Sequence, residues 1–267
     1  MSRTASANSP VSDMSLFGLE GRVIIVTGAA NGIGLFFSQR LAELGASVVL
    51  ADIDAEKADA EAEELTRAGH SALGVHVDVA DESSTREMAT KSVAAFGGID
   101  SLVNNAALLH SLPRRGWERI SVGEWDRVMA VNCRGPFLCC KAVVPHMIGR
   151  TRGTIVNMSS SRVFAGTPRR LHYTTSKAGI VGFTRALARE LGPENIRVNA
   201  IAPGLTLTAQ QIESASADYR ARSAAGRALQ ADQTPDDLFG ALVFLISDAS
   251  VAMTGQTLSI DGGEVMR

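Results

Sequence analysis

Short runs of β-branched and aliphatic residues alternate along the chain with longer segments in which apolar residues recur at helical spacing. The short runs predict seven strands, at 22–26, 46–52, 71–78, 99–104, 153–159, 196–202 and 256–262. Helical spacing is clearest at 33–45, 55–69, 82–97 and 176–192, and several of these segments close on glycine, as helix C-termini often do. Strand runs that are almost wholly apolar, such as VIIV, favour a parallel sheet covered on both faces.

The repeated strand–helix–strand order predicts a doubly wound α/β fold, with one parallel sheet of about seven strands and helices on both faces. A (β/α)₈ barrel is the alternative, but it gives no reason for a glycine cluster after the first strand. No repeat or low-complexity linker divides the sequence, so we expect one domain over residues 16–267. Residues 1–15 carry few large apolar side chains, which predicts a flexible tail.

Composition narrows the class of protein. Of 267 residues, 45% are hydrophobic and 20% charged, as in a globular chain. The net charge of −2 gives no reason to expect nucleic acid or a membrane as a partner. No apolar run is long enough to span a bilayer and no signal-peptide core is visible, so we expect a cytoplasmic protein. Cys133, Cys139 and Cys140 have neither zinc-site nor disulfide spacing, which predicts reduced thiols.

A glycine-rich turn follows the first predicted strand and opens directly into a helix. It reads TGAANGIG from Thr27 to Gly34. Glycines at such a point allow a tight turn and close approach of a pyrophosphate, and a helix N-terminus offers unpaired N–H groups to phosphate. An ordinary tight strand–helix loop is the alternative, since a glycine turn alone is weak support for a dinucleotide site.

The second predicted strand ends on Asp52, where a carboxylate can accept hydrogen bonds from the ribose hydroxyls of an adenosine. The same charge would repel a 2′-phosphate and no basic residue follows it directly, so NAD is preferred to NADP. Capping the next helix is the other possible role of Asp52, although Asp54 is the better candidate. Asp78 could orient the adenine or cap the helix that begins near Asp81.

Amide side chains follow the fourth predicted strand, in the sequence Asn104-Asn105-Ala106-Ala107. The carboxyl edge of an open α/β sheet is where ligands bind. Asn side chains also bind backbone groups in turns, so this segment alone leaves both roles open.

Tyr173 and Lys177 carry the strongest chemical signal, because residues four apart on a helix project from one face. A neighbouring ammonium favours the phenolate and lowers the pKa of a tyrosine toward neutral pH, so such a pair can act as a proton shuttle. The preceding strand ends in three serines, Ser159 to Ser161, whose hydroxyls could hold a substrate oxygen. A chance pair on a helix surface is the alternative, and the dinucleotide turn makes it less plausible.

From about residue 17 to the C-terminus, the chain resembles the short-chain dehydrogenase/reductase family, which has a Rossmann-type fold, and within it the NAD-dependent branch. The motifs that carry the resemblance are TGAANGIG at 27–34, NNAA at 104–107, VMAVNCRG at 128–135, YTTSK at 173–177, APGLTLT at 202–208 and DGG at 261–263. Ala107 departs from the family pattern, which has glycine there.

The resemblance implies roles for particular residues. Tyr173 would be the general acid/base, Lys177 would lower its pKa and bind the nicotinamide ribose, and Asn132 would hold a proton-relaying water. Family spacing selects Ser160 as the substrate-binding serine, with Ser159 and Ser161 as alternatives. The implied cofactor contacts are Gly28, Asn31, Gly32, Ile33, Gly34, Asp52, Ile53, Asp78, Val79, Asn105, Ala106, Tyr173, Lys177, Pro203, Gly204, Thr206 and Thr208.

The family places its substrate between the segments after the fourth, fifth and sixth strands, here 108–117, 162–172 and 205–230, the last read as a lid. Arg162, Arg169, Arg170 and His172 make the middle segment basic, which suggests an anionic substrate, unless these charges are simply solvated. Leu108, Leu109, Phe164 and Leu171 indicate an apolar wall. The expected substrate contacts are Ser160, Arg162, Phe164, Arg169 and Tyr173.

The predicted function is NAD-dependent interconversion of a small secondary alcohol and its ketone, with Tyr173 as general acid/base. Reduction of a 3-oxoacyl thioester is the alternative within the same chemistry. A nucleotide-sensing binding protein that has lost catalysis is the alternative from another class. The family further implies a homotetramer, and the spacing of the five histidines gives no reason to expect a metal.

Overall fold

The computed structural model describes residues 17–150 and 152–266, so the predicted flexible tail at 1–15 lies outside the described residues. Its centre is one parallel sheet of seven strands in the order β3-β2-β1-β4-β5-β6-β7. The strands are β1 (Val23–Thr27), β2 (Ser47–Asp52), β3 (Ala72–His76), β4 (Ser101–Asn104), β5 (Gly153–Met158), β6 (Ile196–Pro203) and β7 (Thr257–Ile260). The doubly wound fold predicted from the sequence is confirmed.

Ten α-helices connect and cover the strands in the described part of the chain. They are α1 (Gly32–Glu43), α2 (Ala55–Arg67), α3 (Glu82–Phe96), α4 (Val122–Met129), α5 (Gly135–Ile148), α6 (Arg162–Ala165), α7 (Leu171–Leu191), α8 (Ala209–Ser214), α9 (Ala217–Ala225) and α10 (Asp236–Ile246). A π-helical turn, Ala130–Arg134, joins α4 to α5. No helix among residues 17–150 and 152–266 is long and apolar enough to cross a membrane.

Each face of the sheet has its own apolar core. On one face, Phe37 and Leu41 of α1 and Leu242 and Leu245 of α10 pack on the strands. On the other, Met88 of α3 and Met147 of α5 do the same, together with the C-terminal half of α7. The central strands β1, β4 and β5 are buried along their whole length, as expected for apolar runs covered on both sides.

The order of the strands in the sheet changes direction at β1: β2 and β3 lie on one side of it, and β4 to β7 lie on the other. Loops after β1 and β4 therefore leave the carboxyl edge in opposite directions and open a crevice between them. Helix α7, which carries Tyr173 and Lys177, begins at Leu171, five residues before the helical segment expected from the sequence. It follows directly on two residues in the left-handed region, Arg169 (φ 63°) and Arg170 (φ 59°).

Candidate active site

The glycine turn after β1 is packed too closely for side chains. Gly28 has a φ of +66°, and a Cβ on it would lie 2.8 Å from the Ala106 Cα. A Cβ on Gly34 would overlap the carbonyl oxygen of Gly28. The N-cap residue of α1, Asn31, makes no side-chain hydrogen bond to the first turn, so the backbone N–H groups there are left for a ligand. The turn thus fits the diphosphate of a dinucleotide.

Asn105 holds this turn in place. Its amide nitrogen Nδ2 donates to the carbonyl oxygens of Thr27 (2.9 Å) and Gly28 (3.0 Å). The backbone N–H groups of Asn105 and Ala106 both donate to Thr27 Oγ1 at 3.1 Å. Of the two roles left open for this segment, the Asn105 side chain takes the backbone-binding one through Nδ2, and Asn105 also lines the cleft described below.

The carboxylate of Asp52 is fixed at the end of β2 by two backbone donors. Its Oδ2 accepts from the N–H of Ala30 (2.9 Å), and its Oδ1 accepts from the N–H of Asp54 (3.0 Å). Asp54 is the residue that caps α2, accepting from the Lys57 N–H at 3.2 Å. Asp52 is therefore free of the capping role and lies in the wall of the crevice.

Asp78 and Val79 lie in the same wall, after β3. The helix that follows is capped by Asp81, whose Oδ1 accepts from the Ser84 N–H at 2.7 Å. Asp78 instead bends the loop, with its Oδ1 accepting from the Ala80 N–H at 2.9 Å.

The three serines after β5 have different partners. Ser159 Oγ donates to the Lys177 carbonyl oxygen at 2.9 Å, and Ser161 Oγ donates to Glu264 Oε2 at 3.2 Å. Ser160 Oγ accepts only a long hydrogen bond from the Arg162 N–H, at 3.4 Å, and interacts with the phenol of Tyr173. Its hydroxyl is the one of the three available to a substrate oxygen.

Burial sets the charge states of Tyr173 and Lys177. The Tyr173 pKa is raised by burial, while Ser160, Arg162 and Arg170 act in the opposite direction. Burial lowers the pKa of Lys177 to about 8, and its Nζ donates to the Met158 carbonyl oxygen at 2.7 Å. Lys177 Nζ lies 5.9 Å from the centre of the Tyr173 ring. The groups that act to lower the Tyr173 pKa are a hydroxyl and two guanidinium groups, and the Lys177 ammonium donates to a backbone carbonyl.

Asn132 lies in the π-helical turn and is fully buried. Its Oδ1 accepts from the Leu108 N–H (2.8 Å), and its Nδ2 donates to the Leu108 carbonyl oxygen (3.2 Å) and to Ser176 Oγ (3.1 Å). It therefore ties the loop after β4 to helix α7, at the residue before Lys177.

A cleft of about 430 Å³ runs along the carboxyl edge of the sheet and unites most of the predicted site. Its walls include every expected cofactor residue except Gly34, together with Ser160 and Arg162. Gly34, Asn132, Phe164 and Arg169 are not among the lining residues. Gly34 packs on the turn itself, Asn132 is buried behind Leu108, and Arg169 is exposed.

Several lining residues were not anticipated from the sequence: His110 and Arg114 after β4, Arg170 as a pocket residue, Gln210, Gln211, Tyr219 and Ser223 from the lid, and Glu264 near the C-terminus. The basic residue His172, in contrast, is fully buried, with its Nε2 2.8 Å from Glu124 Oε1. It contributes to packing beside Tyr173 and does not line the cleft.

The predicted lid consists of α8 and α9. Thr208 caps α8 by accepting from the Gln211 N–H at 3.3 Å, and its methyl group lies against Gly32. Arg227 holds the end of the lid, donating to the carbonyl oxygens of Ala231 (2.7 Å) and Leu205 (2.6 Å). The lid thus begins beside the glycine turn at Thr208, and Arg227 ties its far end to the loop after β6.

A doubly wound sheet with this turn, and with a buried tyrosine and lysine on one helix beside it, defines an oxidoreductase that uses a nicotinamide dinucleotide. The side chains at the crevice fit such a group, since the turn accommodates a diphosphate and Asp52 can accept from a ribose.

Comparisons with known proteins agree. A family model described as enoyl-(acyl carrier protein) reductase matches residues 28–264. The chain is 40% identical to the BbsD subunit of a hydroxy(phenyl)methylsuccinyl-CoA dehydrogenase from Thauera aromatica, over 92% of this chain and 97% of that one. It is 37% identical to the 3-oxoacyl-acyl-carrier-protein reductase FabG of Thermotoga maritima, over 93% and 99% of the two chains.

Among solved structures, a gluconate 5-dehydrogenase from Burkholderia cenocepacia in complex with NADP and tartrate superposes with a TM-score of 0.88. It is 32% identical, over 94% of this chain and 97% of that one. The chain belongs to the short-chain dehydrogenase/reductase family.

Proposed function

We propose that this protein interconverts a small secondary alcohol and its ketone, with NAD as the preferred cofactor. The observation that carries the proposal is the position of Tyr173 and Ser160 in the wall of the same cleft as Asp52 and the glycine turn. A proton-transferring phenol and a nucleotide-binding turn that share one cleft can act on one substrate.

The Ser160 hydroxyl donates a hydrogen bond to the substrate oxygen and orients it toward Tyr173. In the direction of oxidation, the carbinol proton passes from the substrate oxygen to the phenolate oxygen of Tyr173, and the C–H bond breaks to leave a ketone. When bound, the oxidised nicotinamide supplies the acceptor at C4 for the hydride, which carries the two electrons. Reduction is the reverse, with the Tyr173 phenol donating its proton to the ketone oxygen.

The charge states of the two helix residues suit this exchange. Burial raises the pKa of Tyr173, which keeps the phenol protonated and ready to donate at neutral pH. The pKa of Lys177 is about 8, so its ammonium is charged at pH 7 and provides a cation beside the nucleotide site. Arg162 and Arg170 lower the Tyr173 pKa and so assist formation of the phenolate during oxidation.

Asp52 supports the preference for NAD. Its carboxylate is held rigidly at the cleft and has no ion-pair partner among the described residues. A 2′-phosphate beside it would meet an uncompensated negative charge. Lys57 is the nearest basic residue along the chain, and its Nζ donates to Asn31 Oδ1 rather than to Asp52. The NADP-bound gluconate 5-dehydrogenase shows that a structural neighbour takes the other cofactor, so the preference needs a direct test.

Reduction of a 3-oxoacyl thioester is the second candidate, supported by the similarity to FabG. A panel of secondary alcohols, ketones and 3-oxoacyl thioesters, followed by NADH absorbance, separates the two. A nucleotide-sensing protein would turn over none of these compounds while still binding NADH.

We also retain the homotetramer as a proposal, which light scattering on the purified protein tests.

Tyr173→Phe tests the mechanism. The phenol is the only proton carrier assigned to the reaction, so we expect its removal to lower turnover about 10²–10⁴-fold or more. NADH affinity, measured by fluorescence titration, should change little, because the ring remains in place. Turnover close to wild type in this variant would contradict the mechanism, and loss of NADH binding as well would point to misfolding.

A further inference from the structure

Three arginines converge on the substrate side of the cleft without a matching set of carboxylates. Arg114, Arg162 and Arg170 all line it, and none of them belongs to an ion pair within the described ranges. The one acidic residue lining this end is Glu264, which accepts from Ser161 Oγ. Burial lowers the pKa of Arg170, and the charges of Arg114 and Arg162 lower it further. The three guanidinium groups are therefore close enough to repel one another.

Arg162 has a structural reason for its position. Its Nη2 donates to the carbonyl oxygens of Thr167 (3.2 Å), Pro168 (3.0 Å) and Arg169 (2.8 Å). These bonds close the loop between α6 and α7. Glu264 also lies near enough to stabilise the Arg162 charge. Packing of the loop thus accounts for Arg162, but not for the other two arginines.

Arg170 is placed by an unusual backbone. With φ 59° and ψ 47° it adopts the left-handed conformation directly before α7, which costs about 1 kcal/mol or more for a residue other than glycine. Its half-buried side chain lines the cleft, and its Nε is buried without a hydrogen-bond partner in the described part of the chain. Nε of Arg162 is likewise without a partner, so it is the strained backbone together with the position in the cleft that makes Arg170 a candidate ligand-binding residue.

Arg114 lies in the loop after β4, and its exposed side chain lines the same cleft. Its guanidinium lies over the ring of Tyr219 on the lid, 3.9 Å from the centroid. Stacking on an aromatic ring leaves the N–H groups at the edge of the guanidinium free to donate in its plane. Arg114 and Arg170 therefore offer two planar sets of donors to one cleft.

We propose that the substrate carries a carboxylate, which Arg114 and Arg170 bind between the lid and the start of the catalytic helix. This rests on the proposed function, because it deepens the description of the same cleft. A carboxylate matches the fork of donors on each guanidinium and neutralises charges that the protein leaves unpaired. Since Arg170 precedes Tyr173 by three residues, the anion would anchor a substrate whose carbinol lies at the phenol. The substrate class is then a small hydroxy acid or its keto acid.

Binding measurements test this independently of turnover. The enzyme–NADH complex is titrated by calorimetry with benzoate and with benzamide, which differ in charge and little in shape. We expect benzoate to bind about tenfold more tightly or better. Arg170→Gln and Arg114→Gln should each remove most of this difference, while Arg170→Lys retains part of it. A second arm compares kcat/KM for 3-hydroxybutyrate and 3-hydroxybutyramide in the same proteins.

Arg169→Gln is the matched control, because it removes the same charge one residue earlier from an exposed side chain outside the cleft. It should bind benzoate like wild type. Equal affinity for benzoate and benzamide, or a loss in Arg169→Gln as large as in Arg170→Gln, overturns the proposal. If benzoate discrimination is present but no alcohol is oxidised, the proposed function fails and the anion site stands. If neutral alcohols are oxidised and benzoate binds no more tightly than benzamide, the proposed function stands and the anion site fails.

Discussion

Glu124 Oε1 lies 2.8 Å from Nε2 of His172, and the histidine side chain is completely buried, one residue before Tyr173. The same carboxylate also pairs with Arg115 in the loop after β4. One acidic side chain of α4 therefore holds both a substrate-side loop and the first turn of α7.

Glu124→Ala should consequently lower the free energy of unfolding by about 1–3 kcal/mol, since a buried imidazole and a half-buried guanidinium lose their acceptor. Urea unfolding measures the change. Glu118→Ala is the control. Glu118 is exposed, and its Oε1 lies 3.7 Å from Nε of the exposed Arg119, so its replacement should lower the free energy of unfolding by no more than about 0.5 kcal/mol. Equal effects in the two variants would show that the Glu124 contacts add nothing.

Gly34→Ala should abolish NADH binding or prevent folding, because the new Cβ would overlap the Gly28 carbonyl oxygen in the turn that Asn105 braces. Gly123→Ala is the matched control. Gly123 is an exposed residue of α4, and a Cβ added to it would have no neighbouring atom within 4 Å. That variant should gain up to about 1 kcal/mol of stability from helix propensity. Fluorescence titration with NADH measures the loss of binding, and circular dichroism measures the loss of folding. Normal NADH affinity in Gly34→Ala would refute the packing argument.

Asp52→Asn should shift the cofactor preference from NAD toward NADP by about tenfold or more, or about 1.4 kcal/mol, because it removes the charge that repels a 2′-phosphate. The ratio of kcat/KM for the two cofactors is the measurement. Asp54→Asn makes the same chemical change two residues later, at an exposed cap where asparagine is equally suitable, and should leave the ratio unchanged. A preference unaltered by Asp52→Asn would mean that another group selects the cofactor.

Lys177 should make stability depend on pH. Its pKa falls from an ordinary 10.5 to about 8 on folding, so between these values the unfolded chain binds more protons than the folded one. The free energy of unfolding that this residue contributes therefore rises with pH across that window, by up to about 3 kcal/mol.

Comparison of wild type with Lys177→Met isolates this contribution. Tyr173 and Cys140 act in the opposite sense, because burial raises their pKa values, but they are present in both proteins. The difference in free energy of unfolding between the two proteins, from urea titrations at about pH 7 to about pH 10, should grow in favour of wild type. A constant difference would show that Lys177 is not desolvated.

The sheet and the glycine turn could be predicted because local patterns specify them: apolar runs give strands, and the closely packed Gly28 and Gly34 have no substitute. The choice among Ser159, Ser160 and Ser161 could not be made from the residues alone. It depends on partners distant in sequence, such as Lys177 and Glu264. Asn105 could be placed at the sheet edge, but whether its amide faced ligand or backbone depended on the fit of two loops.

The substrate side was the least predictable part. Arg169 and Arg170 are adjacent, chemically identical and both left-handed, yet one is exposed and the other lines the cleft, and nothing in the local sequence distinguishes them. Arg114 lies in the loop after β4 and Tyr219 in the short helix α9, so their contact joins segments far apart in the chain. No local signal marks such a pair.

The left-handed residues Arg169 and Arg170 before α7 also separate the choice of substrate from the positions of Tyr173 and Lys177. Residue 170 ends the loop, while Tyr173 and Lys177 are positioned by the helix that starts after it. Under the proposed function and the proposed carboxylate site, a change at residue 170 alters which substrates bind while Tyr173 and Lys177 keep their places on the helix. On that proposal, selectivity can vary at this one position without rebuilding the helix that carries Tyr173, three residues away.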